Sequence, residues 1–219
     1  MSDVPRVSVL ITAHNVERYI GRCLRSVLDQ SMRRHDYEII VVNDASSDRT
    51  KFALEIFEND IILLNSTKKL GLPKSLNIGI QKARGRWIIR VDGDDYVNHE
   101  LLNTLSLYLD MVPAIDAIAC DYIMVDDTET PLGTFNCQKQ PIACGIMFRT
   151  EQLIEIGLYD EKFKLREDED LRIRFLKKYS IERIRLPLYR YRRHENNITN
   201  NKHQMEQYRR LLEAKHKDR

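Results

Sequence analysis

The chain has 219 residues, 42% hydrophobic and 31% charged, with a formal net charge of +2. That length suits one domain with its own core, and the charge balance points to no nucleic-acid partner. No apolar run approaches the roughly 20 residues that cross a bilayer, and no basic-then-apolar leader opens the chain.

Residues 6–13 are rich in β-branched side chains and predict a buried strand. Apolar residues then recur at helical spacing over residues 16–30, from Tyr19 and Ile20 to Val27 and Leu28. A second strand spans residues 37–42. It ends at Asn43-Asp44-Ala45-Ser46-Ser47-Asp48, a polar turn able to cap a helix over residues 49–57. A third strand covers residues 60–64. A helix restarts after Gly71, with Pro73 in its first turn, and ends at Gly85. The fourth strand, residues 86–91, runs into Asp92-Gly93-Asp94-Asp95.

This alternation predicts an α/β fold with a doubly wound, mostly parallel sheet. Ligands of such sheets bind beyond the carboxyl ends of the strands. Three polar clusters, residues 12–15, 43–46 and 92–95, are therefore expected to converge on one crevice. The second half is less regular. It predicts a helix over 99–111, strands over 117–125 and 141–148, and a turn over 126–131. A short helix over 150–157, capped by Thr150, follows. A helix over 168–179, a strand over 181–191 and a terminal helix over 200–215 complete the chain.

Three carboxylates in four residues at a strand end repel one another, and a divalent cation relieves that repulsion. A polar turn with Asp95 as a helix cap is the bland alternative. Residues 166–171 (REDEDL) place acidic groups in a first helical turn, where the helix dipole favours them. They also offer a general base. Tyr191-Arg192-Arg193-His194 closes a strand with a basic run. From Leu171 onward, fifteen Lys and Arg face five Asp and Glu. This is either a solvated face or a surface for anionic acceptors, phosphates or lipid headgroups. Cys23, Cys120, Cys137 and Cys144 show neither Cys-x-x-Cys nor zinc spacing and read as reduced thiols of a cytosolic protein. Neither G-x-G-x-x-G nor G-x-x-x-x-G-K-[ST] is present, which argues against a dinucleotide enzyme and a P-loop NTPase.

The order of these clusters resembles glycosyltransferase family 2, inverting enzymes of the GT-A fold. Residues 7–15 (VSVLITAHN) look like the family's opening strand and nucleotide-contacting loop, and residues 38–48 like its second strand and base-recognising aspartate. Leu76-Asn77-Ile78-Gly79 with Ala83-Arg84-Gly85 is similar to the helix before the metal motif. Asp92-Gly93-Asp94-Asp95 matches D-x-D, Glu167-Asp168 with Asp170-Leu171 matches E-D-x-D-L, and Tyr191-Arg192-Arg193-His194 matches Y-R-x-H. Ala13 stands where the family commonly has proline, and Asn43-Asp44-Ala45-Ser46 where it commonly has Asp-Asp-Gly-Ser. The Q-x-x-R-W element of processive synthases is missing.

The resemblance implies a single GT-A domain over residues 1–199, with a nucleotide-binding half at 1–98, an acceptor half at 99–199 and a basic helix at 200–219. The acceptor half would carry a small antiparallel portion. It implies donor contacts from Thr12, Asn15, Asp44, Lys69, Asp92 and Gly93. Asp94 and His194 would hold Mn²⁺ or Mg²⁺, and Asp168 would be the catalytic base. The implied activity is transfer from a nucleotide-sugar donor, a UDP-sugar, to a saccharide or lipid-linked acceptor in surface polysaccharide synthesis. The location would be cytoplasmic, with any membrane contact peripheral at its inner face. The sequence carries no signal for an oligomeric state. The alternatives are a sugar nucleotidyltransferase, which would usually carry a Gly-rich basic loop, and a non-catalytic nucleotide-sugar-binding protein.

Overall fold

The structure is a computed structural model that describes residues 4–195 and 197–217. Residues 1–3 and 196 of the expected domain, and 218–219 of the expected terminal helix, lie outside the described residues. Among the described residues, one nine-stranded sheet runs through both halves of the chain.

β1 (Val7–Ala13), β2 (Tyr37–Asn43), β3 (Ile62–Asn65) and β4 (Trp87–Asp92) pair in parallel. Val7, Val9 and Ile11 of β1 pack with Ile20, Cys23, Leu24 and Val27 of α1 (Ile20–Leu28) and with α4 (Leu101–Met111). Leu10 faces the other way, onto Leu76 and Ile80 of α3 (Leu72–Lys82). Both faces of β1 are thus covered, which explains its unbroken apolar run. α2 (Thr50–Glu55) joins β2 to β3.

At the amino ends of the strands, Ser8 donates to Glu38 (2.7 Å) and accepts from the amide of Gly85 (2.9 Å). Glu38 in turn accepts from the amide and guanidinium of Arg84. A Cβ at Gly85 would lie 2.5 Å from the amide nitrogen of Ser8, which is backbone and cannot step aside. Gly85→Ala is expected to destabilise the fold by about 1–3 kcal/mol. Urea denaturation would check this, and an unchanged midpoint would mean that the strand ends yield freely.

β8 (Ile146–Arg149) pairs antiparallel with β4 and with β6 (Ala117–Val125), and β9 (Ile181–Arg192) lies parallel to β6. Six of the nine strands, β1 to β4, β6 and β9, therefore run one way, and their carboxyl ends share one edge. The expected strand over 141–148 begins only at Ile146, because Gly145 at φ 69° turns the chain first. Thr150 does not cap α5 (Thr150–Glu155). It is the helix's first residue, and its hydroxyl donates to the Gly85 carbonyl at 2.6 Å. Two short strands were not expected: β5 (Tyr96–Val97), antiparallel to β9, and β7 (Pro131–Phe135), antiparallel to β6.

α6 (Glu167–Phe175) and α7 (Lys202–His216) pack together through charge. Asp170, fully buried, pairs with Arg174 (2.8 Å), Lys215 (2.6 Å) and His216 (3.0 Å). No helix of the described residues is long and apolar enough to cross a membrane.

Candidate active site

The polar clusters expected to converge do meet at the shared strand edge. Asn15, at φ 55° just past β1, accepts from the Ser47 amide at 2.8 Å, and its own amide donates to Ser46. His14 donates from Nδ1 to the Asp44 carbonyl (2.7 Å), so its Nε2 accepts from the Lys69 ammonium at 2.9 Å. Asp44 is buried and accepts from the amides of Leu70 (2.6 Å) and Gly71 (2.8 Å). Its carboxylate fixes the 66–71 loop, and each oxygen retains a second lone pair for a ligand.

Thr12 lies in register between Val42 and Asp92, and Gly93 follows directly. A Cβ at Gly93 would stand 2.9 Å from the Thr12 carbonyl, so glycine lets the loop cross the end of β1 closely. The four acidic-loop residues then divide in function. Asp92 takes a two-pronged pair from Arg90, at 2.7 and 3.1 Å. Asp95 accepts from the Tyr189 hydroxyl and the Arg192 amide, both at 2.7 Å. It is no helix cap. Burial and the neighbouring Asp94 and Asp92 push the Asp95 carboxyl well above the usual range. Asp94 instead meets His194, its Oδ2 2.9 Å from His194 Nε2.

Arg90 extends this lock to α6, since its Nη1 lies 3.0 Å from Glu167. Burial, opposed by Arg90, raises Glu167 to about 7. The next residue, Asp168, is half-buried, and its carboxylate takes no hydrogen bond or ion pair from any described residue. Arg166 precedes the helix at φ 60° and donates to the Met205 carbonyl of α7 (2.9 Å) and to Glu169. α7 thus helps hold the start of the helix that carries Asp168.

β9 ends in a second support. Arg192, 2% exposed, donates to the carbonyls of Asp94 and Asp127 and pairs with Glu129 at 3.0 Å. It is committed to the scaffold, not turned outward as a free phosphate ligand. The Tyr19 ring stacks on His194 at 4.9 Å and its hydroxyl donates to Asp127. Arg90, Tyr19, Tyr189 and the 126–129 loop are not marked as site residues by the sequence analysis. Only Arg90 left a signal there, as a charge inside the otherwise apolar strand RWIIRV.

Two carboxylate groupings compete for a cation. Asp92, Asp95 and Cys144 place ligand atoms within 4.8 Å of one another. Their carboxylates are already bound by Arg90, Tyr189 and the Arg192 amide, and burial pushes the Cys144 thiol well up. A protonated thiol does not suit Mg²⁺ or Mn²⁺. Asp94 and His194 fit better. Neighbouring ligands at about 2.1 Å from an octahedral ion stand about 3 Å apart, close to the 2.9 Å seen here.

A model of the family described as "Glycosyl transferase family 2" matches residues 8–172. The chain belongs to that family. A curated relative, the poly(ribitol-phosphate) β-N-acetylglucosaminyltransferase TarS of Staphylococcus aureus, is 32% identical over 108 residues, 48% of this chain and 19% of TarS. The S. aureus TarS 1–349 structure in complex with UDP superposes with a TM-score of 0.77 at 21% identity, covering 95% of this chain and 64% of that one. The mannosyltransferase PcManGT of Pyrobaculum calidifontis, solved with GDP-Man and Mn²⁺, gives a TM-score of 0.77 at 18% identity, covering 97% and 64%. The fold is accordingly that of GT-A glycosyltransferases. The family 2 match includes every candidate residue named above except His194 and the Arg192 support.

Proposed function

We propose that the protein is an inverting, metal-dependent glycosyltransferase. It transfers a sugar from a UDP-sugar to a hydroxyl of a saccharide or lipid-linked acceptor in surface polysaccharide synthesis, at the cytoplasmic side of the membrane. The observation that carries this reading is Asp168. Its carboxylate has no hydrogen-bond or ion-pair partner among the described residues, and the residue directly follows Glu167 of the Glu167–Arg90–Asp92 lock. The binding of UDP by TarS and of GDP-Man with Mn²⁺ by PcManGT supports a nucleotide-sugar donor and a metal. The name of TarS supports a surface-polymer acceptor.

Thr12, Asn15 and Asp44 border the nucleoside end of the donor, and Lys69 contributes positive charge beside His14. Asp92 and Gly93 shape the floor beneath the ribose. Asp94 and His194 hold Mn²⁺ or Mg²⁺, which when bound neutralises charge building on the leaving diphosphate. Asp168 takes the proton from the acceptor hydroxyl as that oxygen attacks the anomeric carbon. The C–O bond to the diphosphate breaks on the opposite face and the configuration inverts. Residues 1–199 form the transferase domain, with donor contacts before residue 99 and acceptor contacts after it.

Release of nucleoside diphosphate from a panel of nucleotide sugars, with Mn²⁺, Mg²⁺ or EDTA, tests this reading. Turnover of a UDP-sugar, stopped by EDTA, is expected. Asp94→Ala is expected to abolish the metal dependence of donor binding in calorimetry. Donor binding that ignores both EDTA and this substitution would overturn the metal assignment.

A further inference from the structure

Beside the acidic loop lies a hollow of about 700 Å³, lined by Arg22 and Arg25 of α1, Tyr96 of β5, His99 just after β5, and Arg190 of β9, among others. Its charges do not cancel. Arg22 shares Glu129 with Arg192, and His99 pairs with Asp29. The Arg25 guanidinium forms no hydrogen bond or ion pair with a described residue, and that of Arg190 donates among them only to the carbonyls of Pro187 (2.6 Å) and Tyr189. Two guanidinium groups thus have no carboxylate partner among the described residues. The Arg22 guanidinium lies 4.3 Å over the Tyr96 ring, and the Tyr96 hydroxyl takes no hydrogen bond from a described residue. Tyr96 and Arg190 are register partners across β5 and β9, so the phenol and that arginine stand side by side.

Two guanidiniums without a carboxylate partner and a phenolic donor line one hollow, and they match the charge and the acceptor oxygens of one phosphate group. Arginine binds such a group through paired N–H donors, which a lysine cannot do. We propose that this hollow binds a phosphate monoester or diester, separately from the donor diphosphate. Tyr96 follows Asp95 directly, so a molecule anchored there by its phosphate extends toward the crevice from the side of the acidic loop. None of the residues assigned above to the transfer chemistry lines this hollow.

Nε–Hε NMR signals of the arginines, followed during titration with inorganic phosphate, glycerol 3-phosphate and a glycerol phosphodiester, test it directly. The expected result is saturable shifts of the Arg25 and Arg190 signals. Affinity should fall at least tenfold in Arg25→Gln and in Arg190→Gln, with thermal stability retained in the exposed Arg25→Gln variant. A second arm compares sedimentation with phosphatidylglycerol and phosphatidylcholine vesicles. Binding only to phosphatidylglycerol vesicles, lost in Arg25→Gln, would support the site and name a lipid headgroup as the source. No shift with soluble phosphates and no vesicle binding, or binding that both variants preserve, would overturn the proposal. Because no donor is present, failure here is distinct from failure of the glycosyltransferase reading.

Discussion

Asp168→Asn is expected to lower turnover by about 10²-fold or more while donor affinity changes little. The amide keeps the size and polarity of the carboxylate but cannot accept the acceptor's proton. Because the Asp168 carboxylate makes no hydrogen bond or ion pair with a described residue, the substitution breaks no contact of that kind. Its effect should therefore appear in kcat and not in stability. Steady-state rates with the identified donor, together with calorimetric donor titration, separate the two quantities. Near-normal turnover would remove Asp168 as the base, and a matching loss of donor affinity would make it a binding residue.

Replacing Arg90 by leucine should act in the opposite manner, on stability first. Arg90 is 8% exposed and joins two carboxylates, Asp92 and Glu167, that pair with no other cation among the described residues. Removing one partner of a buried charge network leaves the others uncompensated, at a cost of about 3–5 kcal/mol. Guanidinium denaturation would measure it, and a loss below about 1 kcal/mol would show that water reaches the carboxylates.

The pH dependence of that loss has a definite sign. Burial raises Glu167 from 4.5 to about 7, Arg90 opposes the rise, and Asp168 adds to it. A carboxyl with a raised folded-state pKa contributes stability that is fully present below its ordinary value. That contribution is lost as the pH climbs through about 7. Without Arg90 the charged form of Glu167 becomes harder to hold, so Arg90→Leu should cost more at about pH 8 than at about pH 5. Glu167→Gln should flatten the slope of native stability between those values.

The first ninety residues were readable because their signals are local. A strand buried on both faces must be apolar throughout, as VSVLIT and YEIIVV are, and a polar run must follow where the chain reverses. Thr12, Asp44 and Asp92 are therefore placed at one edge by the sequence alone. The second half was harder because its strands are defined by their partners. β8 lies antiparallel between two strands that run the other way, and β7 is a mostly exposed edge ribbon with little apolar pattern. Gly145 shortened one expected strand through a turn set by contacts with Cys120 and Arg90. Among the candidate residues, composition located the acidic loop but could not divide it. Asp92, Asp94 and Asp95 are one chemical type, and their separate environments arise from Arg90, His194 and Tyr189.

From the chain alone come the α/β alternation, the strand ends that carry polar groups, and the family to which those groups belong. Each depends on residues close together in sequence, where periodicity and turn chemistry act. Which aspartate faces the crevice, which arginine is bound into the scaffold and which remains in the side hollow were decided by tertiary contacts. Many of those contacts join residues far apart in the chain, such as Arg90 with Glu167 at 77 positions and Asp94 with His194 at 100. The environment of a charge depends on what surrounds it in space, and local sequence does not carry that information.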